Sequence, residues 1–237
     1  MSLIGILTAS FIPFFVIAFL IIIHELGHFL TAKMLGIEVD KIVIYPLGGI
    51  SKFRMPLNTS INKEFLILIM GPLFQQFAYI FLKQILTNYI SIVKGYHYGI
   101  LLFNLLPIYP LDGGKLLNLF LAKQLSFKRS LKLTLFISYI AIVLLLFINF
   151  QNVGLNLMAI TIFLLWKTTK EYQQINYLYN KFLLERYLNN YHFKNCKMIN
   201  DISKFYRDRR HIIKEKGKYY LEKDSLEKIY KNINKKH

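Results

Sequence analysis

The chain of 237 residues is 54% hydrophobic and 16% aromatic, and its formal net charge is +17. A composition this apolar excludes an ordinary soluble domain and indicates an integral membrane protein. The single cysteine, Cys196, excludes an internal disulfide and a zinc site made of cysteines. Residues 167–237 hold 18 of the 30 Lys and Arg residues. We interpret this basic tail as cytoplasmic and attracted to anionic lipid, with no direct binding of nucleic acid.

The first predicted membrane span covers residues 10–32, which are apolar apart from one short motif. Residues 1–9 are also apolar but too few to span a bilayer, which takes about 20 residues of helix. Pro13 would lie in the first turn of the span, where proline is tolerated. We expect the helix to end near Lys33, with Gly36 as its stop.

The motif inside this span is His24-Glu25-Leu26-Gly27-His28. Histidines at positions i and i+4 lie one turn apart on one face of a helix, so both imidazoles can reach a single zinc ion. Ionisable side chains are costly to bury in a membrane and are functional there by default. We therefore predict that His24 and His28 bind zinc and that Glu25 is the general base of a hydrolytic reaction.

Residues 37–57 alternate in polarity and are rich in β-branched side chains. This pattern predicts a small β hairpin at the membrane surface, with its turn at Gly48-Gly49. Such a hairpin could offer an edge to an extended substrate peptide, or it could merely connect two helices.

Two further segments of the core carry breaks in their helical pattern. Residues 64–87 form the second predicted span, in which Gly71-Pro72 is expected to kink the helix and let a neighbour approach closely. Residues 97–122 cannot form one straight helix, because the sequence Pro107-Ile108-Tyr109-Pro110 interrupts it. Irregular backbone at membrane depth is tolerated only inside protein or beside a water-filled cavity.

Asp112 follows that break and is expected to lie in a protected polar pocket. A catalytic zinc usually has three protein ligands and one open position, and we predict Asp112 as the third ligand. Its carboxylate could instead cap the helix that starts at Gly113. Asn104 could hydrogen-bond the substrate or a developing oxyanion, or it could simply join two helices. His97, near the outer end of its span, and Glu64, at a helix start, are weaker ligand candidates.

Residues 131–149 and 153–169 are the last two predicted spans, joined by the uncharged loop 149–152. The basic loops all fall on one side, which the positive-inside rule makes cytoplasmic. The sequence thus predicts an all-α polytopic membrane protein of about five transmembrane helices, with a small membrane-surface β hairpin and a short cytoplasmic C-terminal tail, α/β or helical. The N-terminus would be outside. His28 would lie roughly 7.5 Å along the helix from Lys33, close to the cytosol.

Three motifs resemble, in order and spacing, those of the site-2 protease family of intramembrane zinc metalloproteases. They are the histidine motif, Gly71-Pro72, and Asn104-Leu105-Leu106-Pro107-Ile108-Tyr109-Pro110-Leu111-Asp112-Gly113-Gly114. Residues 103–127 and 181–187 are similar to the branch of this family that acts in sporulation. This resemblance implies cleavage of a membrane-associated pro-sigma factor, pro-sigma-K, in the mother cell.

The resemblance carries over to individual residues. His24, His28 and Asp112 match the zinc ligands, Glu25 matches the catalytic base, and Asn104 matches the asparagine of the third motif. It implies Zn²⁺ as the cofactor. The expected partners are the membrane-associated substrate and the lipid bilayer, while membrane inhibitor or regulator proteins and homo-oligomerisation stay open.

The chain differs from the family pattern in three places. Members carry a further span before the histidine helix, of which residues 1–9 can be only the end. Many have an asparagine where this chain has Gln75, a position linked to substrate contact. Phe205–Tyr230 resembles the end of a cystathionine-beta-synthase-type domain. We expect a transmembrane metalloprotease core in residues 1–170 and a basic cytoplasmic tail in residues 171–237, a degenerate form of that domain.

A catalytically inactive membrane scaffold or regulator that contains zinc is the alternative function. Structural zinc normally has four protein ligands, whereas the sequence offers three good ones. The sequence therefore favours a zinc endopeptidase that cleaves near the cytoplasmic face.

Overall fold

The computed structural model describes residues 3–37, 39–45, 48–53, 55–148, 154–189, 191–193, 195–215 and 217–234. These residues are mostly helical, with one two-stranded and one three-stranded sheet. They divide into two compact units. One consists of residues 1–55 and 65–106, and the other of residues 56–64 and 107–237. The predicted domain boundary at residue 170 falls inside the second unit and stays a prediction.

The first unit begins with one long helix, α1, over Leu3–Met34. The apolar residues that were expected to stand before the first span are continuous with it. Pro13 therefore lies inside α1 and not in its first turn. The predicted stop at Gly36 is confirmed: its φ is 73°. The amide of Ile37 donates to the carbonyl oxygen of Ala32 at 2.9 Å, which closes the last turn.

The predicted hairpin is confirmed as strands β1, Val39–Tyr45, and β2, Gly48–Phe53, which pair antiparallel. The predicted turn at Gly48-Gly49 is wrong. Gly48 pairs with Tyr45, and Gly49 pairs with Ile44. A glycine still offers both backbone hydrogen-bonding groups, so β2 can begin at Gly48. Residues 46–47, which connect the strands, lie outside the described residues.

Helices α2, Ile61–Ile85, and α3, Ile90–Asn104, follow the hairpin. A short 3-10 helix over Thr87–Tyr89 joins them. The helix α3 starts earlier than the predicted residue 97. A cluster of buried apolar side chains packs α1, α2 and α3 together, which places the histidine motif beside α2: Val16, Leu20, Ala78, Leu82 and Val93.

The second unit contains the remaining helices of the predicted core. These are α4, Asp112–Ala122, α5, Phe127–Ile148, and α6, Leu155–Gln173. The predicted interruption is confirmed, because α3 ends at Asn104 and α4 starts at Asp112. The predicted loop 149–152 lies outside the described residues.

The tail is an α/β structure made of α7, Ile175–Leu188, strands β3–β5 and α8, Glu222–Asn234. Strand β4, Arg209–Glu215, lies centrally, parallel to β3, Asn195–Ile199, and antiparallel to β5, Lys218–Leu221. Apolar side chains from α5, α7, the sheet and α8 form one core, so the tail packs on the start of α5. The buried members of this core are Phe127, Leu131, Tyr179, Phe182, Leu183, Ile199, Phe205, Ile213 and Leu226.

A buried arginine organises the polar interior of the tail. Arg186 donates to Asn58 Oδ1 at 2.6 Å, to Glu222 Oε1 at 2.9 Å and to the carbonyl oxygen of Tyr206 at 2.7 Å. Glu222 also accepts from the backbone amide of His211 at 2.8 Å. The charge of Arg186 is thus paired and hydrogen-bonded, as burial requires.

Among the described residues, three helices are long and apolar enough to cross a membrane: Phe11–Met34, Ile61–Ile85 and Phe127–Phe147. The helices α3 and α4 have 15 and 11 residues, too few for a full span of about 20. The helix α6 carries Lys167, Lys170 and Glu171 in its last third. The five spans and the orientation of the termini stay predictions.

Candidate metal centre

The histidine motif lies where α1 crosses α2, and two glycines allow a very close approach. A Cβ atom on Gly27 would stand 2.5 Å from the carbonyl oxygen of Met70. A Cβ atom on Gly71 would stand 2.3 Å from both Cε1 and Nε2 of His28. The predicted close approach at Gly71 is therefore confirmed, and the neighbour it admits is a histidine of the motif itself.

The two histidines are buried, with exposed fractions of 2% for His24 and 4% for His28. Their Nε2 atoms are 3.1 Å apart. The ring planes are nearly perpendicular, at 83°, with centroids 4.8 Å apart. The i, i+4 spacing has thus brought one nitrogen of each ring to the same point.

The other nitrogen of each ring faces a hydrogen-bond acceptor on α2. His28 Nδ1 is 2.8 Å from the backbone carbonyl oxygen of Ile67, which can only accept. His24 Nδ1 is 3.0 Å from Oε1 of Gln75. Each Nδ1 therefore carries the proton, and each Nε2 in the neutral ring presents its lone pair.

This arrangement fits a zinc ion. Two nitrogen ligands of tetrahedral zinc, each at about 2.0–2.1 Å, lie about 3.3 Å from one another. Two lone pairs facing each other at 3.1 Å repel unless a cation lies between them. Donation of the second ring N–H to a carbonyl or carboxylate is also the usual way of fixing a histidine ligand.

Two other predicted site residues belong to the same unit. Glu25 follows His24 on α1 and is half-buried. Asn104, also half-buried, is the last residue of α3, and its Nδ2 is 3.5 Å from Nε2 of His24. The structure thus brings Asn104 beside the two histidines, with an amide donor near the point where their Nε2 atoms meet.

Asp112 belongs to the second unit, where it is the first residue of α4 and 7% exposed. The capping position is occupied by Leu111, so the alternative interpretation of Asp112 as the helix cap is wrong. Lys115 Nζ is 3.3 Å from Asp112 Oδ1. A carboxylate in the first turn is also favoured by the helix dipole.

The backbone before Asp112 is held firmly by the neighbouring helices. The amide of Tyr109 donates to Ser138 Oγ on α5 at 2.9 Å, and Thr168 Oγ1 on α6 donates to the carbonyl oxygen of Tyr109 at 2.9 Å. A Cβ atom on Gly114 would stand 2.4 Å from the nitrogen of Tyr109. The first turn of α4 therefore packs directly on this segment.

Sequence reasoning missed several of these supporting residues. Gln75 was noted as a departure from the family pattern, and His97, which lies next to it, as a weaker ligand candidate. The polar character of Ser138 and Thr168 in apolar spans was a signal, since such side chains usually bond across helices. Glu64, a weaker ligand candidate, accepts a hydrogen bond from Arg207 at 2.6 Å.

The comparisons with known proteins agree with this geometry. Residues 12–89 match the model of Peptidase family M50. Stage IV sporulation protein FB of Bacillus subtilis is 33% identical over 193 residues, which cover 77% of this chain and 66% of that protein. The chain belongs to peptidase family M50, the site-2 type metalloproteases. Zinc is the metal of this family.

Further proteins are similar to this chain. A zinc metalloprotease of Methanocaldococcus jannaschii is 28% identical over 161 residues, covering 64% of this chain and 46% of that protein. A solved site-2 protease structure from the same organism has a TM-score of 0.56 at 24% identity, covering 67% of this chain and 76% of that one. That likeness shows the site-2 protease fold. The family match includes the histidine motif and Gln75 but ends before Asn104 and Asp112.

Proposed function

We propose that this protein is an intramembrane zinc endopeptidase that cleaves a membrane-associated protein near the cytoplasmic face. The observation that carries the proposal is the convergence of His24 Nε2 and His28 Nε2 at 3.1 Å, each with its Nδ1 fixed by an acceptor on α2. Membership of family M50 supports peptide-bond hydrolysis as the reaction.

The proposed substrate is a pro-sigma factor processed during sporulation. The name of the Bacillus subtilis relative supports sporulation, and the resemblance of residues 103–127 and 181–187 supports the pro-sigma class. The chain spans 66% of the length of that relative, so the substrate of this chain is proposed and does not follow from the similarity alone. A site near the cytoplasmic end of α1 suits a substrate that is made in the cytosol, with the C-terminal tail on the same side.

The proposed zinc ligands are His24, His28 and Asp112. The two histidines are neutral with Nε2 lone pairs, and a buried aspartate supplies the negative charge that partly balances a divalent cation. Hydrogen bonds from Ser138 and Thr168 to Tyr109 fix the backbone that carries Asp112. Three protein ligands leave one position open for water and substrate, as in catalytic sites.

Two side chains besides the zinc ligands would take part in the reaction. Zinc, when bound, supplies a Lewis acid that polarises the scissile carbonyl and makes water more acidic. Glu25 takes a proton from the attacking water and delivers it to the leaving amide nitrogen. Asn104 Nδ2 is a neutral donor beside His24 and is positioned to hydrogen-bond the substrate carbonyl as charge develops on its oxygen.

Metal analysis of the purified full chain tests the ligand set. The wild type is expected to hold one zinc per chain, and His24→Ala and Asp112→Ala are expected to lose it. The matched control is His192→Ala, which removes an exposed histidine of the tail and should leave the zinc content unchanged. Full zinc content in Asp112→Ala would contradict the ligand set and favour the zinc scaffold.

A further inference from the structure

We propose that Gln75 is a positioning residue that fixes the ring orientation and the protonated nitrogen of His24, and that His97 in turn fixes the amide of Gln75. The inference rests on the proposed function, since it concerns the histidine expected to bind zinc. It gives a role to the position where many family members carry an asparagine. It also brings His97 into the site without making it a ligand.

The first contact is between His24 and Gln75. Gln75 lies on α2 with no exposed surface, and its Oε1 is 3.0 Å from His24 Nδ1. An amide oxygen only accepts, so His24 Nδ1 must donate. The proton on Nδ1 leaves Nε2 as the only nitrogen of His24 that can bind a metal.

The orientation of the Gln75 amide is decided by its other end. Nε2 of Gln75 is 3.0 Å from the backbone carbonyl oxygen of His97, which cannot donate. The NH₂ group must therefore face His97, and Oε1 must face His24. The second N–H of the amide points toward His97 Nδ1, at 3.4 Å. A flipped amide would place its oxygen opposite the carbonyl oxygen of His97, where neither atom can donate.

His97 is itself held in place. It is fully buried and stacks on Tyr79, with ring centroids 4.3 Å apart and planes at 11°. Tyr98 contacts the edge of its ring, with centroids 4.9 Å apart. Its Nε2 has no hydrogen-bond partner among the described residues. The imidazole of His97 thus contacts Gln75 through Nδ1 and Tyr79 through its ring face. A series of contacts connects Tyr79, His97, Gln75 and His24 in that order.

The two bonds of Gln75 also oppose a direct role with substrate. Both ends of its amide are engaged inside the helix packing, and no surface of the side chain is accessible. A substrate contact at this position would require both hydrogen bonds to break. We therefore infer that Gln75 positions the proposed metal ligand His24 and does not contact the substrate.

Metal affinity and ligand-field spectra of the full chain test this assignment. The purified protein is stripped with a chelator and titrated with Co²⁺, whose visible absorption reports the coordination geometry, and with Zn²⁺ in competition with a chelator. Gln75→Leu should weaken metal binding about 10- to 100-fold, the range for loss of a group that orients a ligand. It should also shift the Co²⁺ spectrum. Gln75→Glu keeps an oxygen opposite His24 Nδ1 but removes the donor to the carbonyl oxygen of His97, so it should lose less metal affinity than Gln75→Leu.

The neighbouring glutamine provides the matched control. Gln76 is exposed on α2, so Gln76→Leu makes the same chemical change one position away and should leave affinity and spectrum unchanged. Wild-type metal affinity in a monodisperse Gln75→Leu protein would overturn the assignment, as would a change confined to the KM for substrate. If Gln75→Leu does not fold, Gln75→Glu, which is long enough to reach His24, should bind metal more tightly than the shorter Gln75→Asn. Equal loss of affinity in these two variants would overturn the assignment. Failure of the wild type itself to bind Co²⁺ or Zn²⁺ would instead contradict the proposed function.

Discussion

A methyl group added at Gly71 should destroy the metal centre. The new Cβ atom in Gly71→Ala would stand 2.3 Å from Cε1 and Nε2 of His28. Carbon atoms in favourable contact are about 3.5–4.0 Å apart, so the imidazole would have to move by more than about 1 Å. Metal–ligand distances tolerate only about 0.2 Å. His28 therefore cannot keep both its place in the packing and its place on a zinc ion.

Overpacking of this kind typically costs about 1–3 kcal/mol of stability, and we expect the zinc affinity of Gly71→Ala to fall at least about 100-fold. Competition with a zinc chelator measures the affinity. The control is Gly99→Ala on α3, where a Cβ atom would meet nothing within 4 Å. Because alanine is the better helix former by about 1 kcal/mol, Gly99→Ala should be neutral or slightly stabilising.

A double substitution shows whether the clash involves His28. In Gly71→Ala/His28→Ala the imidazole is absent, so the added methyl group should be accommodated. The thermal stability of the double variant should exceed the value expected from adding the two single effects. Wild-type zinc affinity in Gly71→Ala, or strictly additive effects in the double variant, would refute the contact on which the site geometry depends.

Two further predictions concern the support of Asp112 and the tail. Ser138→Ala removes the acceptor of the part-buried Tyr109 amide and should destabilise the protein by about 1–3 kcal/mol and lower its zinc content. Thr161→Val, whose bonds among the described residues stay within α6, should keep the zinc. Equal zinc loss in both variants would contradict this role of Ser138. In the tail, burial lowers the pKa of His211. Burial alone would raise the pKa of Glu222, but the bonds of Glu222 to His211 and Arg186 outweigh this effect and lower the pKa of the carboxyl. Both folded-state pKa values lie below the ordinary ones, so the tail should lose stability as the pH falls below about 6.5 and further through the carboxylate range. Thermal unfolding from pH 8 to 4 measures this, and a melting temperature that rises on acidification would contradict it.

The sequence alone predicted the geometry wherever that geometry depends on a single helix or a single alternating segment. The convergence of His24 and His28 follows from their spacing on α1, and the hairpin follows from its alternation. The turn of the hairpin was placed wrongly because glycine is compatible with both a turn and a strand. The start of α1 was placed too late because an apolar run has no internal signal for where a helix begins.

Contacts between helices were less predictable. Nothing local to α2 indicates that Gln75 meets His24, or that the carbonyl oxygen of Ile67 accepts from His28. Those partners depend on the crossing of α1 and α2 at Gly27 and Gly71, and a sequence shows that glycines permit close approach without showing what approaches. The contact of His97 with Gln75 was missed for the same reason, since the position of His97 along α3 does not reveal which residue it faces.

Cleavage by the wild type compared with Glu25→Gln tests the central claim most directly. Each is co-expressed with a membrane-associated pro-sigma-K-type substrate, and the product is resolved on a gel, with the zinc content of each purified enzyme measured in parallel. Glutamine keeps the size of the side chain but cannot accept the proton, so the account predicts a shortened product with the wild type only and equal zinc in both. A shortened product with Glu25→Gln as well would contradict the assignment of Glu25 as the base of a zinc endopeptidase.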